Sequence, residues 1–507
     1  MFLEKDIRDP VTKQHAKRTD AGTSDLLQVL IIGAGFSGIG LAIRLQQAGV
    51  SDFLVLEAES GVGGTWWLNR YPGCACDVQS HLYSLSFAPR ADWSRHFPPR
   101  REIQAGLAET VERHELSRRI RLKTKVIEAR WNESRQCWRV VDQHGTERRA
   151  RVLVSAIGGL SRPAWPAIPG LEDFSGPVIH SQRWPQELDW ADQRVAVIGT
   201  GASAIQFIPH LQRSARQLDV YQRSAQWILP KPDRAIPRWR QTLHARLPLY
   251  RRLTRLGLFL LLESRLPAFT RFPRLTAFHR RKARRHLERY IEDPVLRDKL
   301  TPDYAMGCKR VLMSNDYYPA LAARNVELIT TPIERVHSDG LIDRDGQFRP
   351  ADLIVLGTGF QAADPVPSGL IIGRDGLDLR EAWKDGPRAY KGTTVPGFPN
   401  FFTLLGPNTA LGHNSVLLMI EGQLRYVVSA LRWMRRTHQH EIEVRESAAE
   451  AWDHEVQHRL DRTVWQQGGC SSWYQHPESG RIPTLWPRFT FTFRWLLRRF
   501  DPEAYIW

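Results

Sequence analysis

Short apolar runs along the chain each stop at a cluster of glycines. Val29–Ile32 reads VLII, ends at Gly33 and gives way to an apolar pattern of helical period through FSGIGLAIRLQ. A second run, FLVL, then closes on Glu57. The succession returns as RVAVI, GTG, a helical stretch ASAIQFI, and QLDVYQR, which ends in Arg223. A third run, DLIVL from Asp352, leads into GTGF. Strand, glycine turn, helix and strand in that order make a dinucleotide-binding unit. The pattern predicts an α/β protein with two Rossmann-like dinucleotide-binding domains, the second inserted in the first. Residues 27–155 and 385–507 form the expected first domain and 156–384 the second, which carries a helical insert at 231–295. Residues 1–26 are polar and charged and are expected as a flexible tail.

The turns carry the chemistry. Gly33, Gly35 and Gly38 let the backbone approach a pyrophosphate, whose charge the following helix N-terminus stabilises. Glu57 lies 24 residues after Gly33, where a carboxylate accepts both ribose hydroxyls of an unphosphorylated adenosine. Gly199, Gly201 and Ala204 repeat the turn in its GxGxxA form, with Arg223 at the same offset of 24. A guanidinium there attracts a 2′-phosphate that a carboxylate would repel, and Ser224 adds a hydroxyl beside it. The first unit therefore suits FAD and the second NADPH.

The chain's net charge of +17 is concentrated. Lys231–Tyr290 holds seventeen lysines and arginines against three acids, which is +14. One basic segment calls for a solvated helical face ahead of nucleic-acid binding, so no nucleic-acid partner is expected. The apolar, arginine-flanked stretch LGLFLLLESRLPAF at Leu256–Phe269 keeps peripheral contact with a membrane surface as a minority reading. No apolar run reaches the roughly 18 to 20 residues that span a bilayer. The five cysteines, Cys74, Cys76, Cys137, Cys308 and Cys470, are odd in number and scattered, which points to reduced thiols and a cytoplasmic setting. Cys74 and Cys76 without further ligands make a poor zinc site, so no metal is expected.

Between the two units, FSGPVIHSQRWP at Phe174–Pro185 shows neither helical nor strand period yet carries bulky and polar residues. Phe174, Gly176, His180, Trp184 and Pro185 match FxGxxxHxxxWP at every fixed position. With GGTWWLNRYPGCACD (Gly63–Asp77) and GCKR (Gly307–Arg310), followed by Tyr317 and Tyr318, this resembles the Baeyer–Villiger monooxygenases, class B flavin monooxygenases that oxidise ketones. The stretches GPNTALGHNS, TVWQQGGCSSWY and LWPRFTFTFRW are similar to the same family, nearest to its branch acting on aryl and open-chain aliphatic ketones. Ser224 stands where threonine is frequent, and Cys74-Ala75-Cys76 precedes Asp77.

The resemblance implies that NADPH reduces FAD, that O2 adds to give a peroxyflavin, and that this attacks a ketone to yield an ester or lactone. It implies Arg310 as the catalytic cation and Asp77 as the acid that orients it, with Lys309 joining Arg223 on the 2′-phosphate. Gly33, Gly35, Gly38, Glu57, Thr65, Trp66, Asp77 and Tyr83 are the expected FAD contacts. Gly199, Gly201, Ser203, Arg223, Ser224 and Lys309 are those expected for NADPH. For Trp66, Trp67 and Tyr83 core packing explains the aromatic side chains equally well, and Asn408, His413 and Asn414 suit either ligand contact or loop structure. His180 and Trp184 are expected to couple the two domains as a specified hinge. A class B monooxygenase oxidising sulfides or amines is the nearest alternative, against which Trp184-Pro185 argues. A disulfide reductase would need a CxxxxC pair near the first helix, which the sequence lacks.

Overall fold

The computed structural model describes residues 26–507. The expected tail therefore lies outside the described residues, apart from Leu26. Two sheets organise the chain, the first mixed and the second wholly parallel. The first has eight strands, with Leu27–Ile32 at its centre between Phe53–Leu56 and Glu147–Ser155, both parallel to it. Val126–Asn132, Cys137–Asp142 and Glu147–Ser155 form an antiparallel extension. The central strands are mostly apolar because helices and loops cover both faces, and Val29, Leu30, Ile31 and Val55 are fully buried.

The second sheet has five parallel strands in the order Val326–Ile329, Gln217–Tyr221, Arg194–Ile198, Leu353–Leu356 and Val178–His180. Its edge strand revises the reading of the connector. Val178–His180 pairs with Ile354–Leu356, so the segment without a visible period is partly a strand of the second sheet. Three residues are too few to display alternation.

The chain is back in the first sheet earlier than the expected boundary at 385. Ile371–Ile372 pairs with Ala129 and Arg130, and Phe401–Thr403 then pairs with Leu153–Ser155. The 22-residue helix Val416–Thr437 packs on helix Phe36–Gln47, where a Cβ on Gly40 would come within 2.9 Å of Leu424. The 231–295 insert is helical, with Arg238–Arg246, Pro248–Glu263, Leu266–Thr270 and Ala277–Tyr290. Among the described residues no helix is long and apolar enough to cross a membrane.

Candidate functional site

Each sheet ends in a turn built for close backbone approach. Gly33 has φ +106°, and a Cβ there would stand 2.7 Å from the Ala156 carbonyl oxygen. A Cβ on Gly38 would fall 1.9 Å from the Gly33 oxygen, so helix Phe36–Gln47 can meet the turn only with glycine at that position. Gly35 begins this helix, whose first turn has no side-chain cap and no acid. The N-terminal N–H groups are thus left to an anion. Glu57 is buried, and its carboxylate accepts from Ala34 N at 2.6 Å and Glu59 N at 2.9 Å. Burial raises its pKa, and those N–H groups pull it only part of the way back. A buried carboxylate beside an uncapped glycine turn fits the adenosine ribose of FAD. Thr65 opens the short helix Thr65–Leu68, and Trp66 Nε1 donates to the Tyr83 hydroxyl at 3.1 Å. Phe36 meets Tyr83 edge-on at 5.5 Å, completing an aromatic wall beside that turn.

The second turn repeats the design. Gly199 has φ +106° and lies against Gly357, while Gly201 faces open space. Helix Ala204–Gln212 starts after Ser203 with neither a side-chain cap nor an acid in its first turn. At the strand end Arg223 is exposed, and Lys309 Nζ donates to Ser224 Oγ at 2.7 Å. Burial, then the charge of Arg223, lowers the Lys309 pKa. No carboxylate lies within ion-pair distance of Arg223 or Lys309 among the described residues. Two neighbouring cations and a hydroxyl, with Asp303 acting on Lys309 only from beyond ion-pair distance, fit a 2′-phosphate.

Asp77 and Arg310 meet between the two units. Arg310 Nε donates to Asp77 Oδ2 at 2.6 Å and Nη2 to Oδ1 at 2.8 Å, a bidentate pair. Arg310 Nη1 reaches the Leu411 carbonyl at 3.4 Å. The side chains are 28% and 35% exposed, so the pair faces a cleft that solvent can reach. Asp77 is held there by the loop before it: Ala75 N donates to Gln206 Oε1 of the second unit's helix at 2.8 Å. The Asp77 charge raises the Arg310 pKa far above its ordinary range, against the effect of burial. Burial pushes Asp77 upward, but the Arg310 charge and hydrogen bonds outweigh it and leave its pKa lowered. Both groups are therefore charged at neutral pH.

Tyr474 fills no motif position that sequence alone ties to the chemistry. It is 1% exposed, lies within electrostatic reach of Arg310, and its hydroxyl makes no well-formed hydrogen bond. The only advance signal was its place in the family-like stretch TVWQQGGCSSWY. The loop that bears it is tied to the arginine segment, because Cys308 and Cys470 form a disulfide and Ala305 N donates to the Gly468 carbonyl at 2.9 Å. This corrects the expectation of reduced cysteines for that pair. Two residues 162 positions apart carry no local pairing signal. Cys74, Cys76 and Cys137 are free and buried, and burial pushes the Cys74 thiol up to about 12. A thiol so rarely ionised is a weak ligand and nucleophile.

The remaining candidates are placed in the framework. Asn408 Nδ2 donates to the carbonyls of Ile482 and Leu485 at 2.8 and 3.0 Å. Asn414 Nδ2 donates to Glu263 at 2.8 Å, and His413 lies 3.4 Å from the same carboxylate. These contacts give Asn408 and Asn414 loop-holding roles. His180 Nε2 donates to the Gly359 carbonyl at 3.1 Å, and its Nδ1 accepts from Gln182 N at 3.2 Å. Trp184 is buried against Phe207 and Trp190. Phe174 sits in the core of the second sheet, Pro185 is exposed, and a Cβ on Gly176 would come 2.5 Å from the Asp352 oxygen.

The family model of the pyridine nucleotide-disulphide oxidoreductases matches residues 30–246. A Baeyer-Villiger monooxygenase of Pseudomonas aeruginosa is 51% identical over 478 residues, covering 94% of this chain and 91% of that protein. Among solved structures, oxidized steroid monooxygenase bound to NADP is 32% identical with a TM-score of 0.81, covering 93% of this chain and 97% of that one. The OTEMO complex with FAD and NADP is 28% identical with a TM-score of 0.81, over 93% and 97% of the two chains.

Proposed function

The chain belongs to the Baeyer–Villiger monooxygenase family, and from that premise we propose that it uses FAD, NADPH and O2 to convert open-chain aliphatic or aryl ketones to esters or lactones. One oxygen atom enters the product between the carbonyl carbon and a migrating carbon. The other leaves as water, and NADPH supplies the two electrons. Bound FAD supplies the passage of electrons from NADPH to O2.

The chain's own residues do the rest. Gly33, Gly35 and Gly38 receive the FAD pyrophosphate and Glu57 its ribose. Gly199, Gly201 and Ser203 receive that of NADPH, while Arg223, Ser224 and Lys309 hold the 2′-phosphate. Arg310 keeps a fixed positive charge beside the two turns, where it stabilises negative charge gathering on oxygen. Arginine suits this duty because it does not surrender its proton. Asp77 fixes the guanidinium plane with two hydrogen bonds and offsets part of the cost of burying the charge.

The observation that carries the proposal is the bidentate Asp77–Arg310 pair in a cleft between two glycine turns of opposite ribose chemistry. The test is NADPH oxidation by flavin-loaded enzyme across a panel of ketones and sulfides, with products identified by mass. Ketone-dependent ester formation that disappears in Arg310→Ala is the expected result. Sulfoxides without any ester would replace ketone oxidation by heteroatom oxidation as the activity.

A further inference from the structure

Helix Pro248–Glu263 of the insert is turned inside out. Leu249, Leu253, Leu256 and Leu260 follow one another at intervals of four, three and four, which aligns them along one face. Such a stripe ordinarily packs into a core. Here the four side chains are 67%, 57%, 50% and 56% exposed. Two charged residues of the helix, Arg255 and Glu263, point the other way. Arg255 reaches Glu421 at 3.4 Å and the carbonyls of His81 and Leu82 at 3.3 Å. Glu263 is buried, accepting from Asn414 Nδ2 at 2.8 Å and Thr490 N at 3.0 Å. These anchors fix the rotation of the helix and leave its leucines facing out. Downstream in the insert, Phe272, Leu275 and Phe278 are also exposed, at 52%, 57% and 70%.

Charge identifies what fits this face. The stripe lies within the segment that holds +14 of the chain's +17. Arg252 beside the stripe, and Arg274, Arg280 and Arg281 beyond it, are exposed and form no ion pair among the described residues. A second copy of the same face would set one group of exposed arginines against another. An anionic lipid surface takes both features together, the leucines at the acyl boundary and the guanidinium groups among the headgroups. The helix has sixteen residues and belongs to no candidate span, so it would lie along the surface. We propose that the insert docks this protein on anionic membrane surfaces through the leucine stripe of Pro248–Glu263 and the arginines around it. This goes beyond the oxygenase assignment and stands without it.

The test is flotation of the FAD-loaded protein with vesicles of phosphatidylcholine alone and of phosphatidylcholine with about one-third phosphatidylglycerol. Binding is expected to the mixed vesicles, and about tenfold less to neutral ones or at roughly 0.5 M salt. The double variant Leu253→Ser/Leu256→Ser is expected to lower binding about tenfold while flavin absorbance and Tm stay unchanged. Arg280→Glu/Arg281→Glu is expected to lower it independently. No flotation with mixed vesicles overturns the proposal, as does flotation that neither variant weakens. A dimer in sedimentation that the serine variant dissolves, with no vesicle binding, also overturns it and identifies a second copy as the occupant.

Discussion

Arg310 and Asp77 form a pair whose members cannot be removed symmetrically. Arg310→Ala leaves a carboxylate that can take up a proton, whereas Asp77→Ala leaves a guanidinium that stays charged in the cleft. Arg310→Ala is expected to keep FAD bound and to lower ester formation by about 100-fold or more, read as product formed per flavin. Asp77→Ala is expected to lower both product formation and Tm. At the second turn, Arg223 and Lys309 make a separate prediction. Arg223→Glu is expected to raise the KM for NADPH at least tenfold and leave that for NADH within about threefold, read from initial rates with each coenzyme. An unchanged ratio would mean that Arg223 does not contact the 2′-phosphate. Arg223 was legible from its offset of 24 residues after Gly199, whereas Asp77, Lys309 and Arg310 were marked only by stretches that resemble the family's motifs. Tyr474 was not legible, since its burial next to Arg310 depends on a loop closed from 162 residues away by Cys308 and Cys470. Tyr474→Phe removes only the hydroxyl that neighbours Arg310 and is expected to change product yield while leaving Tm unaltered.

At the scale of elements, the insert is joined to the first domain by a contact that depends on acidity. His244 on helix Arg238–Arg246 stacks on His81 with ring centroids 3.6 Å apart. His81 Nδ1 and both His244 ring nitrogens lack hydrogen-bond partners. Burial, then the neighbouring His244 and Arg240, lowers the His81 pKa to about 3, and burial with Arg240 lowers that of His244 as well. The unfolded chain takes up these protons near pH 6.5 and the folded chain only at lower pH, so the contact is at full strength above 6.5 and weakens below it. The limit is about 1.4 kcal/mol per pH unit for each histidine. Tm is expected to fall between pH 7 and pH 5, with a shallower fall in His244→Phe. The disulfide acts on a different joint, between the segment that bears Arg310 and the loop that bears Tyr474. Reduction, or Cys308→Ser, is expected to lower Tm, with a ceiling of about 4 to 5 kcal/mol from the long loop it closes. The sequence showed that the insert is basic and partly apolar. It could not show which face turns outward, because the rotation of Pro248–Glu263 is set by Glu421 and Thr490, far away in the chain.

Across the whole molecule, two sheets must hold two dinucleotides in register, and the chain crosses between them near His180. The duplicated turn made both units visible, but the return to the first sheet through Ile371–Ile372 did not stand out, since two residues have no period to read. His180 draws the crossing points together. It ends the edge strand of the second sheet and donates to Gly359, in the turn after the strand Leu353–Leu356 that precedes the return. Burial lowers its pKa, with the Gly359 bond opposing, so the ring is neutral at pH 7 and its tautomer is fixed by the two partners. A neutral, doubly bonded, 2% exposed imidazole suits a joint better than a proton carrier. If it keeps the nicotinamide unit seated over the first domain, His180→Ala is expected to retain FAD and to bind NADPH within about threefold of the parent protein, yet to divert electrons from ester to hydrogen peroxide. His180→Gln, which can still donate to Gly359, is expected to restore part of the coupling. The measurement is ester formed and peroxide released per NADPH consumed. A lower Tm with the ratio unchanged would make His180 a packing residue and would place the joint elsewhere in the crossing segments.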